Sequence, residues 1–422
     1  MSKLLVRSKK SRSCKLTLLV IIGATFVFNM AISSIQKNFH SPVDPPNQSQ
    51  RPQHPQLYTA ELAAKAVEPT VWTCGKADRQ KGGVVDPITN QRPFFAFIHV
   101  YKTGGSSVRK FLQEYATTCE KSLALVGKCK CYEASVDIGR CKLSKSTNVP
   151  QSIENVNSTI LHDHYDILGG HFSFGMADDV FPNATATPDN AASQVRHMVF
   201  LRQPMTKFVS HVLYQQKQWN QSKMDTLEET VKDIKKRVWN FRNNGEYMGS
   251  LKFPQSPYIF AELLTPEQVK MTDNLEETVE EVMVLKTQLA IDNLMRYNTV
   301  VGMTETLPRS IKILEHTLGQ IVDSTSKKKE VQDFFIRYTG EDAPKANSSK
   351  RGSISTDSVL KDLNKDKKFM TIFREFVKYE QMIVDFAMDM HQKQYEAVKK
   401  GHFERYTSEN ILAGLEEASV GM

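Results

Sequence analysis

The stretch Phe94–Leu112, FFAFIHVYKTGGSSVRKFL, constrains the fold most, because a hydrophobic run passes through a glycine pair into an amphipathic segment. Phe94 to Val100 is apolar enough for a strand buried on both faces of a parallel sheet. Gly104 and Gly105 permit a tight turn, and Val108, Phe111 and Leu112 recur at helical spacing. A helix beginning at Ser106 or Ser107 aims unpaired backbone N–H groups at that turn. With the two serine hydroxyls and the Lys102 ammonium, those donors suit an oxyanion carrying two or more charged oxygens. Lys102 precedes the glycines, whereas the Walker-type nucleotide loop carries its lysine after them. The turn therefore predicts a different anion donor.

A second stretch, Val195–Tyr214, predicts a strand over 195–201, with Arg202 at its C-terminal end. Pro204 suits the first turn of a helix, and Ser210 falls on that helix. A guanidinium offers phosphate a bidentate fork, and a hydroxyl on the next helix adds a donor. Between the two stretches, Tyr165–Gly175 reads as a short strand ending at Gly169 and Gly170, followed by His171. An imidazole titrates near neutral pH, which suits it to take a proton from a hydroxyl. His162, His164 and His99 are alternatives of lower rank, since the first two precede the strand and the third falls within one. The polar stretch Asn347–Ser353 carries Lys350 and Arg351, either ligands or a solvated loop. Asn298–Pro308 reads as a late strand, with Glu305 opening the following helix.

Taken in order, these segments resemble the Golgi carbohydrate sulfotransferases. The resemblance implies an α/β fold, a P-loop-like parallel sheet flanked by helices. It implies 3′-phosphoadenosine 5′-phosphosulfate as co-substrate, a glycan acceptor and no metal. By the same resemblance Lys102, Thr103, Gly104, Gly105, Ser106 and Ser107 cradle the 5′-phosphosulfate, while Arg202 and Ser210 grip the 3′-phosphate. His171, in a Gly-His-x-Ser segment like that of the uronyl 2-O-sulfotransferases, is implied as the base, and Lys102 as the catalytic cation at the leaving group. Lys350 and Arg351 match a basic loop that closes over the phosphates. Related enzymes serve the 2-O position of uronic acid, the 6-O of glucosamine and the 3-O of galactose; the His171 segment leans toward the first. One departure is Gln203, where the family often has aspartate after the arginine. A kinase of sugars or proteins would use a similar cradle, but the chain has no Walker lysine and no magnesium-binding aspartate after a strand. A catalytically inactive glycan-binding protein on the same fold is a further alternative.

The N-terminus bears on location. Lys3, Arg7, Lys9, Lys10, Arg12 and Lys15 precede an uncharged, largely apolar run from Leu16 to Ile32, and no acidic residue occurs before Asp44. At about 1.5 Å per residue, that run with its polar margins spans a bilayer, and the charge asymmetry keeps its N-terminus cytosolic. The expectation is a cytosolic tail (1–15), a membrane anchor (16–33), an extended Pro- and Gln-rich stem (34–90) and one catalytic domain (91–422) in the Golgi lumen. A signal peptide cleaved near Ala31–Ser33 is the runner-up. Strands are expected near 94–100, 165–170, 195–201 and 299–303, with helices dominating 225–298 and 356–399.

Formal net charge is +8, but six of the cations sit in the tail, so the lumenal part is only mildly basic. No dense basic and aromatic patch points to nucleic acid. Cys14 would face the cytosol, where palmitoylation or a plain thiol both fit. Cys74, Cys119, Cys129, Cys131 and Cys141 would face an oxidising lumen, which favours disulfides over zinc because Cys129 and Cys131 are separated by a single residue. Asn47, Asn157, Asn183, Asn220 and Asn347 each open a glycosylation sequon.

Overall fold

The computed structural model describes residues 58–68, 73–74, 94–129, 141–147, 166–174, 195–218, 226–244, 260–318, 321–322, 325–339 and 354–400. The expected tail and membrane anchor, Lys350, Arg351 and Cys131 lie outside the described residues. Among the described residues no helix is long and apolar enough to cross a membrane.

The architecture is α/β. Strands β1 (Thr73–Cys74), β2 (Phe94–Ile98), β3 (Leu123–Cys129), β4 (Cys141–Thr147), β5 (Ile167–Gly170), β6 (Val195–Leu201), β7 (Val300–Met303) and β8 (Ile321–Val322) form two sheets. The main sheet has the order β4-β3-β5-β2-β6-β7; its last five strands are parallel, and β4 joins β3 as an antiparallel edge. β1 and β8 pair separately. The chain leaves central β2 toward β3 and β5 on one side and later adds β6 and β7 on the other. That reversal is where open parallel sheets leave a crevice beyond their strand ends.

Helices α1 (Ala60–Ala66), α2 (Gly105–Thr118), α3 (Pro204–Gln218), α4 (Leu227–Asn244), α5 (Phe260–Leu263), α6 (Pro266–Asp273), α7 (Val279–Arg296), α8 (Leu307–Thr317), α9 (Thr325–Thr339), α10 (Thr356–Leu363), α11 (Lys367–Phe376) and α12 (Lys378–Lys399) pack around the sheet. Strand alternation assigns the faces. Phe95 and Phe97 join Met198 and Phe200 against α2, α8 and α9. Ala96 and Ile98 join Val199, Leu201, Val301 and Met303 against α7 and α12. A third cluster unites α3, α4, α10 and α11 around Phe208, Ile234, Leu363 and Phe373.

Two differences from the sequence reading have physical causes. Residues 123–129 and 141–147, expected only as a disulfide-stapled region, form β3 and β4, and Cys119 beside them is buried and disulfide-bonded. Part of the expected stem is helix α1, capped by the Thr59 hydroxyl and burying Ala63 and Ala66. Short alanine faces are hard to read as a core segment from composition, because they bury little area each.

α12 ties these pieces together. Gln394 accepts the Val301 N–H at 2.9 Å and donates to the Thr299 carbonyl at 2.8 Å and to the Tyr58 hydroxyl at 3.0 Å. It thereby satisfies backbone groups at the edge strand β7 and pins the segment that leads into α1. Gln394→Leu keeps the volume but orphans those buried groups. It should cost about 1–3 kcal/mol, read as a lower denaturant midpoint; an unchanged midpoint would show that the edge does not depend on this amide.

Candidate functional site

The parallel register assembles the site. Ile98 pairs with Gly170, so the next residues, His99 and His171, emerge side by side; Leu201 pairs with Met303, so Arg202 and Thr304 do the same. All four stand just beyond the C-terminal ends of adjacent strands. The His99 N–H donates to the Gly170 carbonyl at 2.7 Å, extending the β2–β5 ladder to the edge of the site.

The connection from β2 to α2 is a tight loop. Lys102 (φ 64°) and Gly104 (φ 80°) are both left-handed. For lysine that conformation costs about 1–2 kcal/mol, strain of the kind that accumulates at functional loops. The Thr103 hydroxyl donates to the Val100 carbonyl at 2.8 Å, so it is committed within the loop. The Thr304 hydroxyl lies 2.7 Å from the Thr103 carbonyl and 3.0 Å from the Leu201 carbonyl, tying the loop to β6 and β7. α2 starts at Gly105, one residue ahead of the expected range, with Gly104 as N-cap, no side-chain cap and no acidic residue in its first turn. Ser106 is exposed and Ser107 buried there. Gly105 has a steric reason: a Cβ on it would lie 1.7 Å from the His99 Nε2.

Opposite the loop stands α3, opened by Pro204 as expected. Ser210 is buried on it, and Tyr214, one turn on, carries the Lys102 ammonium over its ring at 4.0 Å. Tyr101 meets His211 at 5.0 Å and Tyr214 at 6.2 Å between ring centroids. A buried ion pair between Lys207 and Glu380 fixes α3 to α12. The Gln203 N–H donates to Glu305 at 3.0 Å, and the Gln203 side chain bonds Gln381 and Met388 of α12.

The electrostatics are cationic. Burial, with the Arg202 guanidinium beside it, lowers Lys102 to about 8, and burial lowers Arg202 against the opposing charges of Glu305 and Asp357. Arg202 reaches the Lys102 carbonyl with one terminal nitrogen at 3.4 Å, while its buried Nε has no hydrogen-bond partner among the described residues. Among the described residues no carboxylate forms an ion pair with Lys102. Lys102 on the strained loop and Arg202 past the end of β6 thus put two mutually repelling cations beside the start of α2, an arrangement chemically suited to an anion.

The histidines are neutral. Burial and then the Arg109 charge lower His171 to about 4, opposed by its hydrogen bond to the His99 backbone. Burial and then Lys207, Lys102 and Arg237 lower His211 to about 3, and both its ring nitrogens are buried without a hydrogen-bond partner among the described residues.

No family model and no curated protein sequence matches the chain. The site's meaning therefore rests on its own chemistry.

Lys102, Thr103, Gly104, Gly105, Ser106, Ser107, Arg202, Ser210 and His171 are brought to one end of the sheet, with His171 on the side of β2 opposite Arg202. Tyr101, Arg109, His211, Tyr214 and Thr304 were missed. Tyr101 and Arg109 sit inside the first motif, and His211 and Tyr214 follow Ser210 on one helix, so proximity in sequence was the available signal. Thr304 became legible only through the sheet register.

A lysine lowered to about 8 predicts pH-dependent anion binding. Its ammonium is lost as pH rises through about 8, so sulfate should bind progressively more weakly above that pH and take up protons on binding near it. Calorimetry in buffers of different ionisation enthalpy checks both effects, and Lys102→Met should abolish them.

Proposed function

We propose that the chain transfers a sulfuryl group from 3′-phosphoadenosine 5′-phosphosulfate to a hydroxyl of a glycan, as the sequence resemblance implies. The observation that carries this reading is the pairing of a cationic, carboxylate-poor loop at Lys102 and Arg202 with a neutral imidazole at His171, across adjacent strand ends. A multiply charged donor matches the first feature, and a hydroxyl that must lose a proton matches the second.

In this reading the N–H groups opening α2 and Lys102 hold the phosphosulfate, and Arg202 with Ser210 holds the 3′-phosphate. The glycan oxygen attacks sulfur as the sulfur–oxygen bond to the 5′-phosphate breaks. The hydroxyl proton passes to the His171 imidazole, and adenosine 3′,5′-bisphosphate leaves with its new charge facing Lys102. The neutral state of His171 lets it accept that proton, and a bound polyanion raises its basicity by offsetting Arg109. Positioning and leaving-group stabilisation supply the rest of the acceleration. The resemblance further implies an anchor in the Golgi membrane with the catalytic domain in the lumen.

The test is transfer of radiolabelled sulfate from the donor to a panel of desulfated heparan, chondroitin and galactose-terminated glycans. His171→Ala should lower kcat by about 10²–10⁴-fold with the donor still bound. Arg202→Ala should weaken adenosine 3′,5′-bisphosphate binding by about 1.5–3 kcal/mol. Full turnover in His171→Ala would remove the base assignment, and no nucleotide binding by the wild type would overturn the reading.

A further inference from the structure

His99 ended the sequence reading as a low-ranked alternative base. The structure gives it a different place. Its ring is stacked on that of His171, with centroids 4.2 Å apart and planes 22° from parallel. Its other neighbours are Phe97, stacked at 5.7 Å, and the Gly105 position, where no side-chain carbon fits. The ring is thus packed between the strand it follows, the first residue of α2 and the His171 ring.

The backbone of the same residue acts as well. His171 hydrogen-bonds to the His99 backbone in the sense that favours the protonated imidazole. The His99 N–H is already given to Gly170. The acceptor is therefore the His99 carbonyl, and the donor is a ring N–H of His171. The nitrogen of His171 that faces the carbonyl then carries the proton, so a carbonyl selects the tautomer while the ring beside it sets the plane.

We infer that His99 is the positioning residue of the candidate base, its ring fixing the orientation of His171 by stacking and its carbonyl fixing the tautomer. The inference rests on the proposed role of His171, although the geometry between the two rings does not. Gly105 is part of the same device, since any side chain there would drive the His99 ring toward His171. Two imidazoles at this separation do not carry charge together. His99 stays neutral through burial first, and then through the charges of His171, Arg109 and Lys102. The ionisable groups around the pair are Arg109 on α2, Lys102 and Tyr101 on the loop, and each histidine for the other.

The test separates this role from a merely structural one with two variants of His99 and one of Gly105. His99→Phe keeps a flat ring and the carbonyl but removes both nitrogens; His99→Ala removes the ring. Histidine NMR titration of the full chain reads His171 directly, without any turnover. The pKa of His171 in His99→Ala should rise by about one unit or more toward the ordinary imidazole value, and in His99→Phe it should stay low. Gly105→Ala should shift the His171 ring resonances by displacing its stacking partner, which keeps the inference testable if His99→Ala does not fold. In turnover, His99→Ala should lose about tenfold or more in kcat with unchanged affinity for adenosine 3′,5′-bisphosphate, and His99→Phe should restore most of it. An unchanged His171 titration in both His99→Ala and Gly105→Ala overturns the inference, as does a His99→Phe protein as impaired as His99→Ala. If the wild type binds no bisphosphate and transfers no sulfate, the functional reading fails while the titration still decides the role of His99.

Discussion

The hydrogen bond from the His99 N–H to the Gly170 carbonyl is the interaction on which the site depends. It continues the parallel β2–β5 register one step beyond the last paired residues. In a parallel pair, residues in register emerge on the same side of the strand ends, so that single step puts two imidazoles face to face. A slip of one residue would send one of them to the opposite face of the sheet. The chemistry is thus set by backbone pairing before any side chain makes a contact. The burial of both strands, with Phe95 and Phe97 on one face and Ala96 and Ile98 on the other, specifies the register.

The loop between β2 and α2 is held from a second direction. Thr304, just past β7, bonds the Thr103 and Leu201 carbonyls, while Glu305 accepts the N–H of Gln203. Three strand ends, those of β2, β6 and β7, are therefore locked to one another at the level of the loop. This cross-bracing explains how left-handed Lys102 persists: the surrounding bonds over-determine a conformation that lysine alone would leave. The same bracing keeps Arg202 beside the Lys102 loop.

Much of this was legible in the sequence where the signal was local. The strand, glycine turn and helix at Phe94–Leu112, the Pro204 helix start and the strands ending before His171 and Arg202 all follow from runs of a dozen residues. Non-local signals were not readable. β3 pairs with β4 and with β5 across long connections, and the polar residues of β4 show no clear alternation. Gly105 reads as a turn glycine, but its necessity comes from the His99 ring. Thr304 and Tyr214 acquire meaning only from partners far away in the chain. Lys350 and Arg351 lie outside the described residues.

Gln203 shows how the residue after Arg202 affects the guanidinium. An aspartate at that position would place a carboxylate directly beside it. In this chain the Gln203 amide turns instead to Gln381 and Met388 of α12, and its backbone N–H is taken by Glu305. Glu305, with Asp357, supplies the negative charge that partly offsets burial at Arg202. Glu305 thus acts on the guanidinium from the end of the neighbouring strand β7. Because Glu305 is exposed while Arg202 is partly buried, that charge is screened more by solvent than one on the adjacent residue would be. The guanidinium is left only partly neutralised, its burial opposed by the Glu305 and Asp357 charges.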